Sequence, residues 1–208
     1  MFPLRFSWIA LFFWALSMLA LSPYDQSLSR QLCSPNSHFA RFVQDWAALP
    51  AYVAVSLALL MRFKEPTCLW ARAILYQCLL HSLLLTHLLK QLWGRARPGD
   101  VLSQPELYTD FFVPLGPFLG ESFPSGHVAA TLVLAPLPFL YWRTERYLPC
   151  FLSSLALGAL WLATCYGRVL FGVHFPTDCL FSLGSGLLSA YLIVSWLSSS
   201  QRTETESE

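Results

Sequence analysis

Charge is what this sequence has least of. Asp, Glu, Lys and Arg make up 12% of its 208 residues, about half the share in a soluble domain, so most of the chain faces lipid or is buried. The thirteen basic and twelve acidic residues leave a formal net charge of +1, and no global field points to nucleic acid. No Cys-x-x-Cys pair occurs among the six cysteines, which removes the usual zinc signatures. Cys68, Cys78, Cys150, Cys165 and Cys179 lie in or beside apolar runs and Cys33 in a polar loop; all six read as buried or incidental thiols. No run of clustered carboxylates offers Mg²⁺ a site. No metal and no cofactor is expected.

What is there is hydrophobic length. Stretches free of Asp, Glu, Lys and Arg cover Phe6–Tyr24, Trp46–Met61, Ala73–Leu89, Ser122–Trp142, Tyr147–Gly167 and Cys179–Gln201. A helix needs about 20 apolar residues to cross a bilayer, and Arg62 and Lys64 can snorkel beyond the short second run. A β-barrel would alternate apolar and polar residues, and these runs do not. The expectation is an all-α integral-membrane bundle of about six helices, a single domain over residues 1–197, with a disordered polar tail at 198–208. The first run lacks a clean signal-peptide cleavage site and is read as a retained span. Two long connections, Ser22–Asp45 and Trp93–Glu121, are expected on one side of the membrane. With the motif residues Lys90, Arg97 and Arg168 set aside, the remaining basic residues favour the termini and short loops, placing these in the cytoplasm and the long loops outside.

Three polar clusters fall on that outward side. They are Lys90-Gln-Leu-Trp-Gly-Arg-Ala-Arg97-Pro98 after the third run, Pro124-Ser125-Gly126-His127 before the fourth, and Arg168-Val-Leu-Phe-Gly-Val-His174-Phe-Pro-Thr-Asp178 between the fifth and sixth. Even topology brings all three to one membrane face. Taken singly, a Lys or Arg at a helix end is an interfacial anchor, and Pro-Ser-Gly is a turn. Together, three cations with many donors, an exposed helix N-terminus and two histidines with a carboxylate describe a phosphate site with acid–base machinery. Pro176 suits the first turn of the last helix and places Asp178 just inside it, within reach of His174. His81 and His87 in the third run read as core histidines, with His87 one turn from Lys90. Phe111, Phe112, Phe118 and Phe123 mark an interfacial loop that could also gate a substrate.

The pattern Lys-x6-Arg-Pro, Pro-Ser-Gly-His and Arg-x5-His-x3-Asp resembles the type 2 phosphatidic acid phosphatase superfamily, over Lys90 to Asp178. One departure is visible: the family's third motif usually opens Ser-Arg, and here it is Gly167-Arg168. The resemblance implies that Lys90, Arg97 and Arg168 hold the phosphate oxygens with Ser125 and Gly126. It implies that His174 is the nucleophile and forms a phosphohistidine, that Asp178 accepts a hydrogen bond from the other ring nitrogen of His174, and that His127 is the acid and then the base. Metal is not needed, because the cationic side chains stabilise charge.

The function so implied is a membrane-embedded lipid phosphatase acting on a lipid phosphate monoester or diphosphate. Family substrates that suit the chain are undecaprenyl diphosphate, phosphatidylglycerophosphate, phosphatidic acid and lipid A phosphates. The partners expected are such an amphiphilic lipid phosphate and the surrounding membrane lipids. Two rivals use the same residues: a lipid phosphotransferase passing the phosphoryl group to another lipid, and a non-catalytic lipid-binding membrane protein. The expected location is a bacterial inner membrane with the site facing the periplasm. A cysteine placed at Gln104, with the native cysteines silenced, is therefore expected to react with a membrane-impermeant thiol reagent in intact cells; labelling only after rupture would reverse the topology.

Overall fold

The computed structural model describes residues 4–113, 116–117 and 120–206. Phe118 and the side chains of Arg5 and Arg202 lie outside them. The described residues form helices joined by turns. In chain order these are α1 (Leu4–Leu21), α2 (Asp25–Leu32), α3 (His38–Trp46), α4 (Leu49–Lys64) and α5 (Leu69–Gln77). A π-helical stretch, Cys78–Leu85, leads into α6 (Thr86–Trp93), followed by α7 (Pro98–Ser103), α8 (Gly126–Thr131), α9 (Pro136–Arg143), α10 (Tyr147–Leu170) and α11 (Pro176–Glu206). α11 continues as helix into the segment expected to be a disordered tail.

Among the described residues, five largely helical stretches are long and apolar enough to cross a membrane: Trp8–Leu32, His38–Lys64, Leu69–Ser103, Tyr147–Leu170 and Pro176–Ser200. Large apolar side chains stand exposed along them, among them Phe12, Phe63, Leu83, Leu155 and Leu162. In water so continuous an apolar surface would aggregate; in a bilayer it is the solvent-facing surface. The protein is a multi-pass membrane protein.

Of the six apolar runs in the sequence, one is not a single helix. The fourth, Ser122–Trp142, is broken into α8, a 3₁₀ turn at Leu132–Leu134, and α9. Pro136 has no N–H to give Leu132, and Pro138 follows two residues on, so the α ladder lapses where they enter. The broken rod still keeps its path. Ser125 N–H donates to Ser182 Oγ at 2.9 Å at one end, and Arg143 Nη1 lies 3.5 Å from the Val194 carbonyl at the other. It therefore runs beside α11 in the same direction, while Trp161 of α10 donates to the Thr131 carbonyl from the flank.

The first long connection differs too. Most of Ser22–Asp45 is helix, with the first stretch reaching Leu32 and the second starting at His38. The cause is visible in α3, where Ala40 and Val43 form a short buried stripe.

α11 is the centre of the bundle and touches α1, α5, α8, α9 and α10. In lipid, apolar contact alone gives helices little reason to prefer one another, so small residues and interhelical hydrogen bonds set the packing. Gln77 Nε2 donates to the Gly186 carbonyl at 2.9 Å, and Ser189 Oγ donates to Gln77 Oε1 at 2.9 Å. His81 Nε2 lies 3.1 Å from Ser185 Oγ, so it is a core histidine bonded across helices, as expected. His87, by contrast, is exposed. A Cβ at Gly186 would sit 2.7 Å from Leu132 Cδ1, which is why α8 and its 3₁₀ extension lie so close to α11. Phe111 and Phe123 are not loop ornaments but buried packing for Met18, Trp93 and Phe181, while Phe112 is exposed.

Candidate active site

The three sequence clusters meet at the α11 N-terminus, and the loop after α6 shows how. Gly94 ends α6 with φ +59°, a conformation that favours glycine, and a Cβ there would collide with the Gly116 carbonyl oxygen. Beyond it, Ser122 N–H donates to the Arg95 carbonyl at 2.9 Å. The turn carries Arg95 inward and leaves Arg97 at the rim.

Arg95 is 1% exposed, and it was not among the expected site residues. Its Nη2 donates to Asp25 Oδ2 at 2.8 Å and its Nη1 to Asp178 Oδ1 at 2.6 Å and Thr177 Oγ1 at 3.0 Å. Its guanidinium stacks over Phe175, 4.1 Å from the ring centroid. Asp25 also accepts from Thr177 N–H at 3.1 Å and from the Thr177 hydroxyl. One cation and two carboxylates thus lock α2, the loop after α6 and the start of α11 together.

This network changes the place of Asp178. The expected bond from His174 to Asp178 is absent. Asp178 Oδ2 instead accepts from Ser122 Oγ at 2.5 Å and from Phe175 N–H at 2.9 Å. His174 Nδ1 makes a 2.5 Å bond to the Ser122 backbone carbonyl. A carbonyl only accepts, so Nδ1 carries the proton and Nε2 keeps its lone pair. Asp178 holds Ser122, and Ser122 holds the His174 ring. The physical reason is charge: a buried carboxylate takes the buried arginine before a neutral imidazole.

Two of the expected cations, Arg168 and Lys90, act on His174. Arg168 Nη2 lies 3.5 Å from its Nε2. Lys90 makes no hydrogen bond to any described residue, and its charge reaches His174. Arg97, half-exposed, pairs with Glu121 at 2.6 Å on the rim. Such a rim pair is weak and readily displaced. Ser125 stands at the N-cap position of α8 and is buried. At Gly126 an added Cβ would meet nothing within 4 Å, so space lies open there. His127 Nε2 lies 3.1 Å from the backbone carbonyl of Gln44, which leaves Nδ1 to exchange protons. Gln44 Oε1 accepts from Arg168 Nη1. Among the described residues, no group of three or more His, Cys, Asp or Glu is placed to hold a metal ion.

Asp25, Gln44, Arg95 and Ser122 were missed by sequence reading. Asp25 had a signal, an acid following a long apolar run, where ionisable residues are functional by default. Gln44 had none.

A sequence profile described as the PAP2 superfamily matches residues 70–202. Two lipid A 1-phosphatases, from Rhizobium etli and Rhizobium johnstonii, are each 34% identical over 122 residues, or 56% of this chain. The match covers 46% and 44% of those proteins, so the chain spans less than half the length of these relatives. A transmembrane PAP2-type phosphatidylglycerolphosphate phosphatase from Bacillus subtilis superposes with a TM-score of 0.58 at 20% identity, covering 93% of this chain and 96% of its own. At that identity it attests the fold.

Two outcomes follow from the site. Arg95→Leu leaves two buried carboxylates without their cation and is expected to cost about 3–5 kcal/mol in denaturant titrations of the detergent-purified protein. Arg95→Lys should recover little, since one ammonium cannot fork between both acids. Second, burial and then the charges of Arg168 and Lys90 hold the His174 imidazole well below the ordinary histidine range. Above pH 6.5 both folded and unfolded forms are neutral there and His174 adds nothing to the pH dependence. Below it the unfolded chain takes a proton that the folded site refuses, so stability should fall by up to about 1.4 kcal/mol per pH unit. Unfolding measured from pH 7.5 to 5 should show that limb in the wild type and a flatter one in His174→Asn.

Proposed function

The chain belongs to the PAP2 superfamily, and from that premise we propose that it is a membrane-embedded lipid phosphatase working through a phosphohistidine on His174. The observation that carries this is the His174 ring: Nδ1–H is committed to the Ser122 carbonyl, and Nε2 presents its lone pair beside the Arg168 guanidinium.

The phosphoryl group of the lipid lies between Lys90, Arg97 and Arg168, with Ser125 and the open space at Gly126 on its far side. Arg97 leaves Glu121 to take a phosphate oxygen at little cost, the exchange being one rim ion pair for another. His174 Nε2 attacks phosphorus; a P–N bond forms as the P–O bond to the lipid breaks. His127 protonates the departing oxygen. In the second half His127 takes a proton from water, the water oxygen attacks phosphorus, the P–N bond breaks and inorganic phosphate leaves. The negative charge that builds on the phosphoryl oxygens is met by fixed cations in a largely buried site, where they act at low dielectric. For a lipid diphosphate the leaving group is the lipid monophosphate, and the same residues serve.

Lipid A bearing a 1-phosphate is the first substrate to test, because the matched relatives are named for it. Phosphatidylglycerophosphate, phosphatidic acid and undecaprenyl diphosphate complete the panel. The setting we propose is a bacterial inner membrane with the site toward the periplasm, in keeping with the basic-residue distribution. Phosphate release by the purified protein from at least one of these lipids is expected. Release only in the presence of an acceptor lipid would favour the phosphotransferase, and none from any lipid would sink the enzyme reading.

The two histidines separate by leaving group. An alkoxide leaves badly and needs a proton, whereas nitrophenolate does not. His127→Ala should slow hydrolysis of a lipid monoester by about 10²–10⁴-fold. It should retain a burst of phenolate from nitrophenyl phosphate, because the phosphoenzyme accumulates when water is no longer activated. His174→Ala should lose both. A burst that survives in His174→Ala and vanishes in His127→Ala would reverse the assignments.

A further inference from the structure

α3 packs along α10. Val43 is buried there, and a Cβ on Gly167 would stand 2.6 Å from Val43 Cβ and Cγ1. No side chain fits at 167 unless α3 retreats. One residue further along each helix, Gln44 meets Arg168. The glycine that departs from the expected Ser-Arg pair is therefore the residue that lets α3 reach the site.

Gln44 touches two site residues at once. Its side-chain carbonyl accepts from Arg168 Nη1, and its backbone carbonyl lies 3.1 Å from His127 Nε2. The guanidinium has five donors in a fixed plane, and Nε and Nη2 share one edge. With Nη1 occupied by Gln44, that edge is what remains. Nη2 already stands 3.5 Å from His174 Nε2, and Nε–H is buried with no partner among the described residues. A buried donor without an acceptor costs free energy unless something arrives to accept it. Two oxygens of one phosphoryl group fit such an edge bidentately.

We propose that Gln44 is a positioning residue of the phosphoryl-transfer site: from α3 it turns the Arg168 guanidinium so that its Nε–Nη2 edge faces the phosphoryl group beside His174, and Gly167 is the gap that admits it. This rests on the phosphatase reading. Gln44 touches no reacting atom; it acts through Arg168. A glutamine is suited to this because it accepts without adding a negative charge that would compete with the phosphate.

The test uses the full chain in detergent, with inorganic phosphate as the probe by titration calorimetry and the best lipid of the panel for kinetics. Gln44→Ala is expected to weaken phosphate binding and to lower kcat/KM by about tenfold to a hundredfold, with the thermal midpoint within a few degrees of wild type. Gln44→Glu keeps an acceptor but adds a charge, and should also bind phosphate weakly. Gly167→Ala should reproduce the loss by pushing α3 away, and Gln44→Ala added to it should cost little more, since the two changes break one contact. Val43→Gly should restore binding to Gly167→Ala by removing the atoms the new Cβ strikes. Equal phosphate affinity and kcat/KM in wild type and Gln44→Ala would overturn the proposal and leave the phosphatase reading standing. So would fully additive losses in the double variant. A wild type that neither binds phosphate nor releases it from any lipid would remove the phosphatase reading itself, and this proposal with it.

Discussion

Everything at the active-site end depends on one buried guanidinium. Arg95 sits between Asp25 and Asp178 with all three side chains out of water. Removing such charges from solvent costs several kcal/mol each before any attraction is counted. The arrangement survives because the arginine fork is satisfied on two sides, Thr177 adds donors to Asp25, and Phe175 covers the face. The return is specificity of position. Three segments far apart in sequence can be joined in one way only, and that way puts the α11 N-terminus under the loop after α6.

The same pairing settles the electrostatics. Arg95 is neutralised by its two acids and adds no net charge to the pocket proposed for phosphate. Among the described residues, Lys90 and Arg168 have no carboxylate partner, and Arg97 pairs with the exposed Glu121. The site thus holds a net positive charge in a poorly solvated place, which is what a phosphoryl group requires and what a neutral imidazole tolerates. His174 stays unprotonated for this reason as well as through burial. Asp178 then reaches His174 at one remove. Its carboxylate fixes the Ser122 hydroxyl, and the Ser122 carbonyl fixes the ring.

The helices that carry this site meet through buried apolar clusters, and small residues and hydrogen bonds set how closely and in what register they pack. Gly186 admits Leu132, Gly167 admits Val43, and Gln77 and His81 bond across to α11. The break at Pro136 belongs to this scheme. It lies in a rod already enclosed by α5, α10 and α11, where neighbours tolerate a lapse in the α ladder that a lipid-exposed helix would not.

The all-α membrane architecture and the three motif clusters were legible in the sequence, because hydrophobic length and ionisable residues at its ends are local signals. Lys90, Ser125, Gly126, His127, Arg168, His174 and Asp178 do gather at one end, with Arg97 at the rim, since spacing along six passages constrains which ends meet. The prolines that break the fourth run were also in plain view, although a hydropathy count passes over them. What only the tertiary structure decided was partnership. Asp178 had two candidate partners, a histidine four residues away and an arginine eighty-three residues away, and the arginine took it because two buried opposite charges gain more from each other than a charge gains from a neutral ring. Gln44 carries no charge and sits in a stretch that reads as loop. Its place beside Arg168 depends on the absence of a side chain at Gly167, a steric fact that exists only once α3 and α10 are packed.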